Sequence, residues 1–121
     1  MSHAYKVLTA AQFAALRAGT FSGAPVDIAD GYIHLSTAAQ LTETVQKHFA
    51  GQVGLVVAAV DLAALGAALK WETSRGGALF PHYYGRLSMA HVTAHAPLAF
   101  TTAGEVAPPA GSPAKTGPKE L

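Results

Sequence analysis

The stretch "VGLVVAAV", residues 53–60, is a continuous apolar run in the middle of the chain. Such a run predicts a strand that is covered on both faces and therefore lies at the centre of a sheet. Before it, "YKVL" at residues 5–8 predicts a short strand, and after it "VTAHAPLAF" at residues 92–100 predicts a final one. The chain is therefore expected to fold around a sheet with residues 53–60 at its centre.

The helices are predicted from their capping residues. A capping box that begins at Thr9 predicts a first helix over residues 10–18. Either Ser36 or Thr37 is expected to cap a second helix, which runs to about Phe49. Between the two, "FSGAPVDIADG" is punctuated by Gly, Pro and Asp, so it predicts a loop with at most one helical turn.

Strands dominate the second half of the sequence. Asp61 is expected to cap a short helix, "LKWET" predicts a strand that ends near Thr73, and "HYYGRL" at residues 82–87 predicts another. Strands and helices alternate in the first half of the chain, whereas strands dominate the second half. This order favours an α+β fold with a small mixed sheet and two main helices over a doubly wound parallel sheet. We expect one domain over residues 1–100 and a disordered tail, rich in Pro, Gly and Ala, over residues 101–121.

Composition narrows the classes of function. The 121 residues suffice for one domain, half of them are apolar, and 12% are charged, so a globular fold is expected. The net charge is +1 and the basic residues are scattered, which argues against binding a long nucleic acid. The absence of cysteine excludes disulfides and thiolate chemistry. No apolar run is long enough to span a membrane and the N-terminal residues lack the basic-then-apolar layout of a signal peptide, so we expect a cytoplasmic protein.

The segment "YIHLS", residues 32–36, alternates as a strand should, with Tyr32, His34 and Ser36 on one face. A histidine there is either a core residue satisfied by a backbone carbonyl or a ligand-binding group. Ser36 and Thr37 stand where the next helix directs its free N–H groups, which favours binding of a phosphate or a ribose hydroxyl. We therefore predict that His34, Ser36 and Thr37 contact a ligand.

His48 follows Leu41 and Val45 at helical spacing, so it is expected on or beside the buried stripe of the second helix. It is interpreted either as a half-buried packing residue or as a ligand-binding one. His34 and His48 stand near opposite ends of the segment that joins them, so the sequence gives no reason for them to share a ligand.

The stretch "WETSRGGALFPHYYG", residues 71–85, gathers reactive and aromatic side chains in a segment without the pattern of a single regular element. Alternation places Trp71 and Glu72 on opposite sides, so Trp71 is expected in the core and Glu72 at the surface or in a cleft. His82 and Tyr84 add an imidazole and a flat aromatic face. The stretch is interpreted either as a pocket wall or as a surface loop pinned by aromatic packing.

Within that stretch, Ser74, Arg75 and Gly76 form a loop that can approach a ligand closely. Its N–H groups can bind an anion, and the Arg75 guanidinium can contact a phosphate through two hydrogen bonds. Because "SRGG" is neither a P-loop nor a dinucleotide fingerprint, the motif alone does not identify the ligand.

Two other kinds of site are disfavoured. His34, His48 and His82 with Glu72 as base would suit a zinc site, but they lack the spacing of known zinc motifs, and no metal is predicted. A Ser-His-Asp hydrolase is disfavoured because the sequence has no G-x-S-x-G turn and because Asp27, Asp30 and Asp61 look like caps and turn formers.

The segments "DGYIHLSTAAQL", "HFAGQ", "VDLAALG" and "LKWETSRGGALFPHYYGRL", in this order, resemble the bacterial family of domains of unknown function 952. The resemblance runs from about Tyr5 to Leu98. It implies a compact split-sheet α+β fold similar to that of the ADP-ribosyltransferases, which bind the cofactor NAD in a cleft between two small sheets. The expected partner is therefore a small, nucleotide-like ligand.

The resemblance also implies roles for individual residues. His34 looks like the strand histidine that holds the NAD ribose in many ADP-ribosyltransferases, and Glu72 is a counterpart of their late carboxylate. Arg75 and His82 could act as in the relatives that move a phosphate from RNA onto NAD, and Tyr84 could face the leaving ring. Glu72 and His82 are thus the predicted catalytic residues. The alternative is a non-catalytic module that binds a small molecule or a partner chain in the same cleft.

Overall fold

The computed structural model describes residues 3–110, apart from the side chain of Arg75. Its strands are β1 (His3–Leu8), β2 (Ile33–His34), β3 (Val56–Asp61), β4 (Leu69–Thr73), β5 (Leu79–Tyr83) and β6 (Val92–Pro97). Its helices are α1 (Ala10–Ala18), α2 (Pro25–Asp30), α3 (Ala38–His48) and α4 (Leu62–Leu65), with 3₁₀ turns at Gly66–Ala68, Arg75–Gly77 and Met89–His91. None of the helices in this described part has the length and apolar character needed to cross a membrane.

The strands form two separate three-stranded sheets, in the orders β1-β3-β6 and β2-β5-β4. The α+β class and the split into two small sheets are thus confirmed. The expectation of a mixed sheet was wrong for the described strands, because every pairing between them is antiparallel. The long connections through α2 and α3 lead from one sheet to the other rather than to a parallel neighbour.

Strand β3 is the centre of the first sheet, as its apolar sequence predicts. Its residues Val57, Ala58, Ala59 and Val60 are at most 1% exposed. Val57 and Ala59 pack into a core beneath α3, while Ala58 and Val60 pack on the other face into a core shared with α1 and the second sheet. Burial on both faces explains why this strand lacks polar alternation.

The predicted caps are confirmed for α1 and α3. Thr9 accepts a hydrogen bond from the backbone of Gln12, and Gly19 ends α1 in the left-handed conformation with φ of 79°. Thr37, rather than Ser36, caps α3, which ends at His48. The segment expected to be a loop with one turn forms α2 with Pro25 at its start, where proline suits a helix.

Two expectations about the second sheet are corrected. Strand β5 covers residues 79–83 rather than 82–87: its last pair with β4 is Tyr83 with Leu69, and one further bond runs from the Tyr84 N–H to Ala68 in the turn before β4. Trp71 is 46% exposed rather than buried, since it lies on β4, an edge strand.

The tail begins later than predicted. Residues 101–110 pack onto the domain instead of extending from it: Val106 is buried, pairs with Phe100 and donates its N–H to Thr42 Oγ1 at 2.9 Å. Residues 111–121, for which disorder was also expected, lie outside the described residues.

Candidate functional site

The register of the second sheet places two histidines side by side. His34 on β2 pairs directly with His82 on β5, and Lys70 on β4 pairs with His82 from the other edge. Paired residues project to the same face of a sheet, and the two imidazole rings have their centroids 5.5 Å apart. Side chains 48 positions apart in sequence are therefore neighbours on one sheet face.

Asp27 on α2 is the buried anchor of His34. Its side chain is 1% exposed and accepts hydrogen bonds from His34 Nδ1 at 2.7 Å, from the His34 backbone N–H at 2.9 Å and from the Ala24 N–H at 2.8 Å. Lys6 Nζ on β1 lies 2.9 Å from Asp27 Oδ2 and donates to the His34 carbonyl oxygen at 3.0 Å. One carboxylate thus ties β1, α2 and β2 together.

The ionisation of this group follows from its surroundings. Burial would raise the pKa of Asp27, but the hydrogen bond from His34 and the charge of Lys6 outweigh it and lower the pKa to about 2. Burial lowers the pKa of Lys6, and the neighbouring Asp27 carboxylate opposes that effect. The Asp27 carboxylate is therefore a fixed negative charge at neutral pH.

The second ring nitrogen of His34 faces a different carboxylate. Its Nε2 lies 3.0 Å from Oδ2 of Asp30, the last residue of α2, whose side chain is 45% exposed. Carboxylate oxygens accept hydrogen bonds, and an imidazole donates from both nitrogens only when it is protonated. Each nitrogen of His34 therefore has a carboxylate that can accept its N–H.

His82 has a carboxylate partner of its own. Its Nδ1 lies 2.7 Å from Glu72 Oε1 on β4, and the Tyr84 hydroxyl donates to the same oxygen at 2.8 Å. The hydrogen bond from His82, followed by that from Tyr84, lowers the pKa of Glu72. The same bond to Glu72 raises the pKa of Tyr84 to about 12. Glu72 is therefore held as a carboxylate beside His82.

Tyr32 covers both imidazoles. Its ring centroid lies 4.1 Å from that of His82, nearly parallel to it at 28°, and 4.6 Å from that of His34. Tyr84 lies on its other side at 5.2 Å. Burial raises the pKa of Tyr32, and the charges of Asp30 and Glu72 add to the effect, so its ring packs as a neutral phenol.

The histidines line a cavity of about 550 Å³ between the second sheet, β1 and the end of α3. Five of the predicted site residues share its wall, namely His34, Ser36, His48, Ser74 and His82. Ser36 and Thr44 are joined there by a 2.7 Å hydrogen bond between their hydroxyls. Apolar faces complete the lining, among them Tyr5, Val7, Phe49 and Phe80.

His48 is exposed and lies beside the buried stripe of α3, which is formed by Leu41 and Val45. It lines the same cavity as His34, although the sequence gave no reason for the two to share a ligand. Helix α3 packs against β1, which bridges to Ser36 just after β2.

The remaining predicted residues lie outside this wall. Glu72 and Tyr84 do not line the cavity: Glu72 is hydrogen-bonded to the cavity residue His82, and Tyr84 is hydrogen-bonded to Glu72. Tyr84 instead lines a second depression of about 410 Å³ together with Tyr32. Thr37 is occupied as the cap of α3. Gly76 lies in the turn at 75–77 with φ of 69°, a conformation that favours glycine on its own account. The Arg75 side chain falls outside the described part of the structure.

Sequence reasoning missed Asp27, Asp30 and Lys6. Asp27 was taken for a cap or turn former, and it does cap α2 through the Ala24 N–H, but this short-range role conceals its contact with His34. Lys6 lay inside an apolar strand pattern, and that buried position was its one signal. Among residues 3–110, no three His, Asp or Glu side chains are grouped to hold a metal ion.

The fold and the site together define a class: a small two-sheet α+β domain whose cavity is lined by carboxylate-bound histidines. Residues 7–95 match the model of the family described as "Protein of unknown function (DUF952)", and the chain belongs to that family.

Solved structures of one bacterial protein share the fold. The crystal structure of protein CC0527 from Caulobacter crescentus is 46% identical, covers 88% of this chain and 94% of that one, and has a TM-score of 0.79. A crystal structure of its double mutant gives 44% identity, the same coverages and a TM-score of 0.78. Its solution NMR structure gives 47% identity over 87% and 91% of the two chains, with a TM-score of 0.73. No curated protein matches the chain.

Proposed function

We propose that this domain binds NAD or a related nucleotide in the cavity lined by His34 and His82, in a fold of the ADP-ribosyltransferase type. The observation that carries the proposal is that His34, Ser36, His48, Ser74 and His82 line one cavity beside the junction of two small sheets. A volume of about 550 Å³ lies in the range of small-molecule and cofactor sites.

The lining suits the parts of a nucleotide. Phe49 and Phe80 offer flat apolar surfaces for a base, while hydroxyl and amide groups such as those of Thr44 and Gln52 offer hydrogen bonds to a ribose. The His34 ring, when protonated, would be a charged donor for a phosphate or a ribose oxygen. NAD bound there would supply an activated glycosidic bond, and His34 and Ser36 would hold its ribose.

A second candidate function is binding without catalysis, and the position of Glu72 favours it. Transfer of ADP-ribose calls for a carboxylate near the positive charge that develops on the sugar. Glu72 instead accepts hydrogen bonds from His82 and Tyr84 and does not line the cavity. Asp30 is the carboxylate on the cavity wall, and it faces His34.

Calorimetric titration with NAD, ADP-ribose and a 2'-phosphorylated nucleotide tests the binding. We expect heat of binding from at least one of them, with NMR shifts at the His34 and His82 rings. His48→Ala, on the cavity wall, should weaken binding, whereas the exposed His95→Ala, on β6 of the other sheet, should not. Neither heat nor shifts with all three ligands would reject the proposal.

Release of nicotinamide separates the two candidates. Transfer of ADP-ribose predicts nicotinamide in the presence of NAD and its loss in Glu72→Gln. Binding without catalysis predicts unchanged NAD affinity in Glu72→Gln and no nicotinamide from either protein.

A further inference from the structure

His34 and His82 are matched in their surroundings. Each has Nδ1 2.7 Å from a carboxylate oxygen, that of Asp27 or of Glu72, and both rings line the same cavity. We infer that these two histidines are a general acid–base pair that hydrolyses a phosphodiester of a nucleotide. The inference rests on the proposed nucleotide binding and adds a reaction to it.

The carboxylates assign a different role to each ring. Since Glu72 accepts a hydrogen bond, the proton of neutral His82 is on Nδ1, which leaves the lone pair on Nε2 to act as a base. His34 meets a carboxylate at both nitrogens, Asp27 at Nδ1 and Asp30 at Nε2, so its protonated ring would donate from both and could give up the Nε2 proton as the acid. The sheet thus holds a base and an acid in adjacent positions.

The rings are also fixed in orientation. Glu72 and Asp27 hold one nitrogen of each ring, and Tyr32 packs over both ring faces at 4.1 Å and 4.6 Å. Groups held in place in this way need little rearrangement at the moment of reaction. The ring centroids are only 5.5 Å apart, so one small tetrahedral group lying beside the pair in the cavity could contact both imidazoles.

The charges around the cavity favour an anionic substrate. Lys6, His34, His48 and His82 line it, and Asp30 is the one carboxylate among the described lining residues. Asp30 is exposed, and its oxygen on His34 Nε2 marks a position where a phosphate oxygen could replace it. Other ionisable groups also surround the two histidines. They are Asp27 on α2, Lys70 and Glu72 on β4, and the neighbouring phenols of Tyr32 and Tyr84.

A phosphodiester uses both groups because water must lose a proton and an alkoxide leaving group must gain one. His82 Nε2 takes a proton from water while the water oxygen bonds to phosphorus. The bond from phosphorus to the sugar oxygen breaks, and that oxygen takes the Nε2 proton of His34. The products are a phosphomonoester and a free hydroxyl, with His82 protonated and His34 neutral. His82 then releases its added proton to solvent and His34 takes one up, which restores both rings.

Incubation with nucleoside 2',3'-cyclic phosphates, followed by phosphorus NMR, tests the inference. We expect a phosphomonoester signal and a bell-shaped dependence of kcat on pH. His34→Asn and His82→Asn should each lower kcat by about 100-fold or more, the usual contribution of an acid or a base. His95→Asn, which alters an exposed histidine outside the cavity, should retain full activity.

The outcomes separate this inference from the function on which it rests. Cyclic phosphates or NAD that bind without any hydrolysis of the cyclic phosphate would overturn the inference and leave the binding intact. Absence of binding would reject both. Hydrolysis that persists in both asparagine variants would also overturn it.

If the asparagine variants do not fold, Glu72→Gln serves in their place. Its amide oxygen still accepts from His82 Nδ1 but lacks the negative charge that favours a protonated ring. The inference then requires a lower kcat at constant KM. It also requires a displaced acidic limb of the pH profile, the limb on which the base His82 loses its proton. An unchanged profile would contradict it.

Discussion

Lys6 and His34, from different sheets, bind the same buried carboxylate: Lys6 Nζ lies 2.9 Å from Asp27 Oδ2 and His34 Nδ1 lies 2.7 Å from Asp27 Oδ1. Removing Asp27 would leave the buried ammonium of Lys6 without its counter-ion, so we expect Asp27→Ala to lower the free energy of unfolding by about 3–5 kcal/mol. Urea denaturation measures the change. Lys47→Ala, at an exposed ion pair, is the matched control and should change stability by less than about 1 kcal/mol. A similar small loss in Asp27→Ala would contradict the anchoring role.

The pH dependence of stability follows from the same group. The folded pKa of Asp27 is about 2, below its ordinary value of 3.8, so the unfolded chain binds a proton more readily. Its stabilisation is therefore complete above about pH 4 and is lost as the pH falls through 2. Urea denaturation between pH 5 and pH 2 should show this decline, and Asp27→Asn should flatten it. Parallel curves for the two proteins would show that other carboxylates account for the acid sensitivity.

Gly85 and Gly76 require glycine for different structural reasons. A Cβ on Gly85 would lie 2.5 Å from the Tyr83 ring, which is buried in the core, whereas a Cβ on Gly76 would meet open space. We expect Gly85→Ala to cost about 1–3 kcal/mol through overpacking. Gly76→Ala should cost about 1 kcal/mol, through its positive φ alone. Thermal unfolding of the two variants tests the order, and a larger loss for Gly76→Ala would reverse this interpretation.

Thr37 was predicted to bind a ligand, but its hydroxyl accepts a hydrogen bond from the Gln40 N–H as the cap of α3. Thr37→Ala should lower the free energy of unfolding by about 1 kcal/mol. Affinity for the nucleotides that bind should be unchanged, because the residue does not line the cavity. Thr9→Ala removes the matching cap of α1 and should cost a similar amount. A loss of nucleotide affinity in Thr37→Ala but not in Thr9→Ala would show that Thr37 does contact the ligand.

The sequence predicted the elements whose signals are local. The capping boxes at Thr9 and Thr37 depend on residues three positions apart, and β3 is buried on both faces by its own composition. It also named His34, a polar residue between Ile33 and Leu35 on a strand, and His82, within the aromatic stretch 71–85, as candidates, and the structure places both on one cavity wall. The five cavity-lining side chains that it named come from three separate segments of the chain: His34 and Ser36, His48, and Ser74 with His82.

What the sequence could not predict depends on pairing between distant segments. The contact of His34 with His82 follows from the register of β2 on β5, and that of Lys6 with Asp27 from the packing of β1 beside α2. Trp71 was expected in the core because alternation places it opposite Glu72, but an edge strand leaves it exposed. The residues after Thr101 looked disordered from composition, yet Val106 is buried in the core beneath α3.

The segment around Val106 has a practical consequence. It crosses α3, where its backbone N–H bonds to Thr42, and Pro109 beyond it is almost fully buried. A shortened chain that stops at residue 100 would therefore lose the apolar contacts that this segment makes with α3, the helix on which the cavity residue His48 lies. Versions prepared for crystallisation or for fusion to another protein should keep at least residues 1–110, with any join placed after that point.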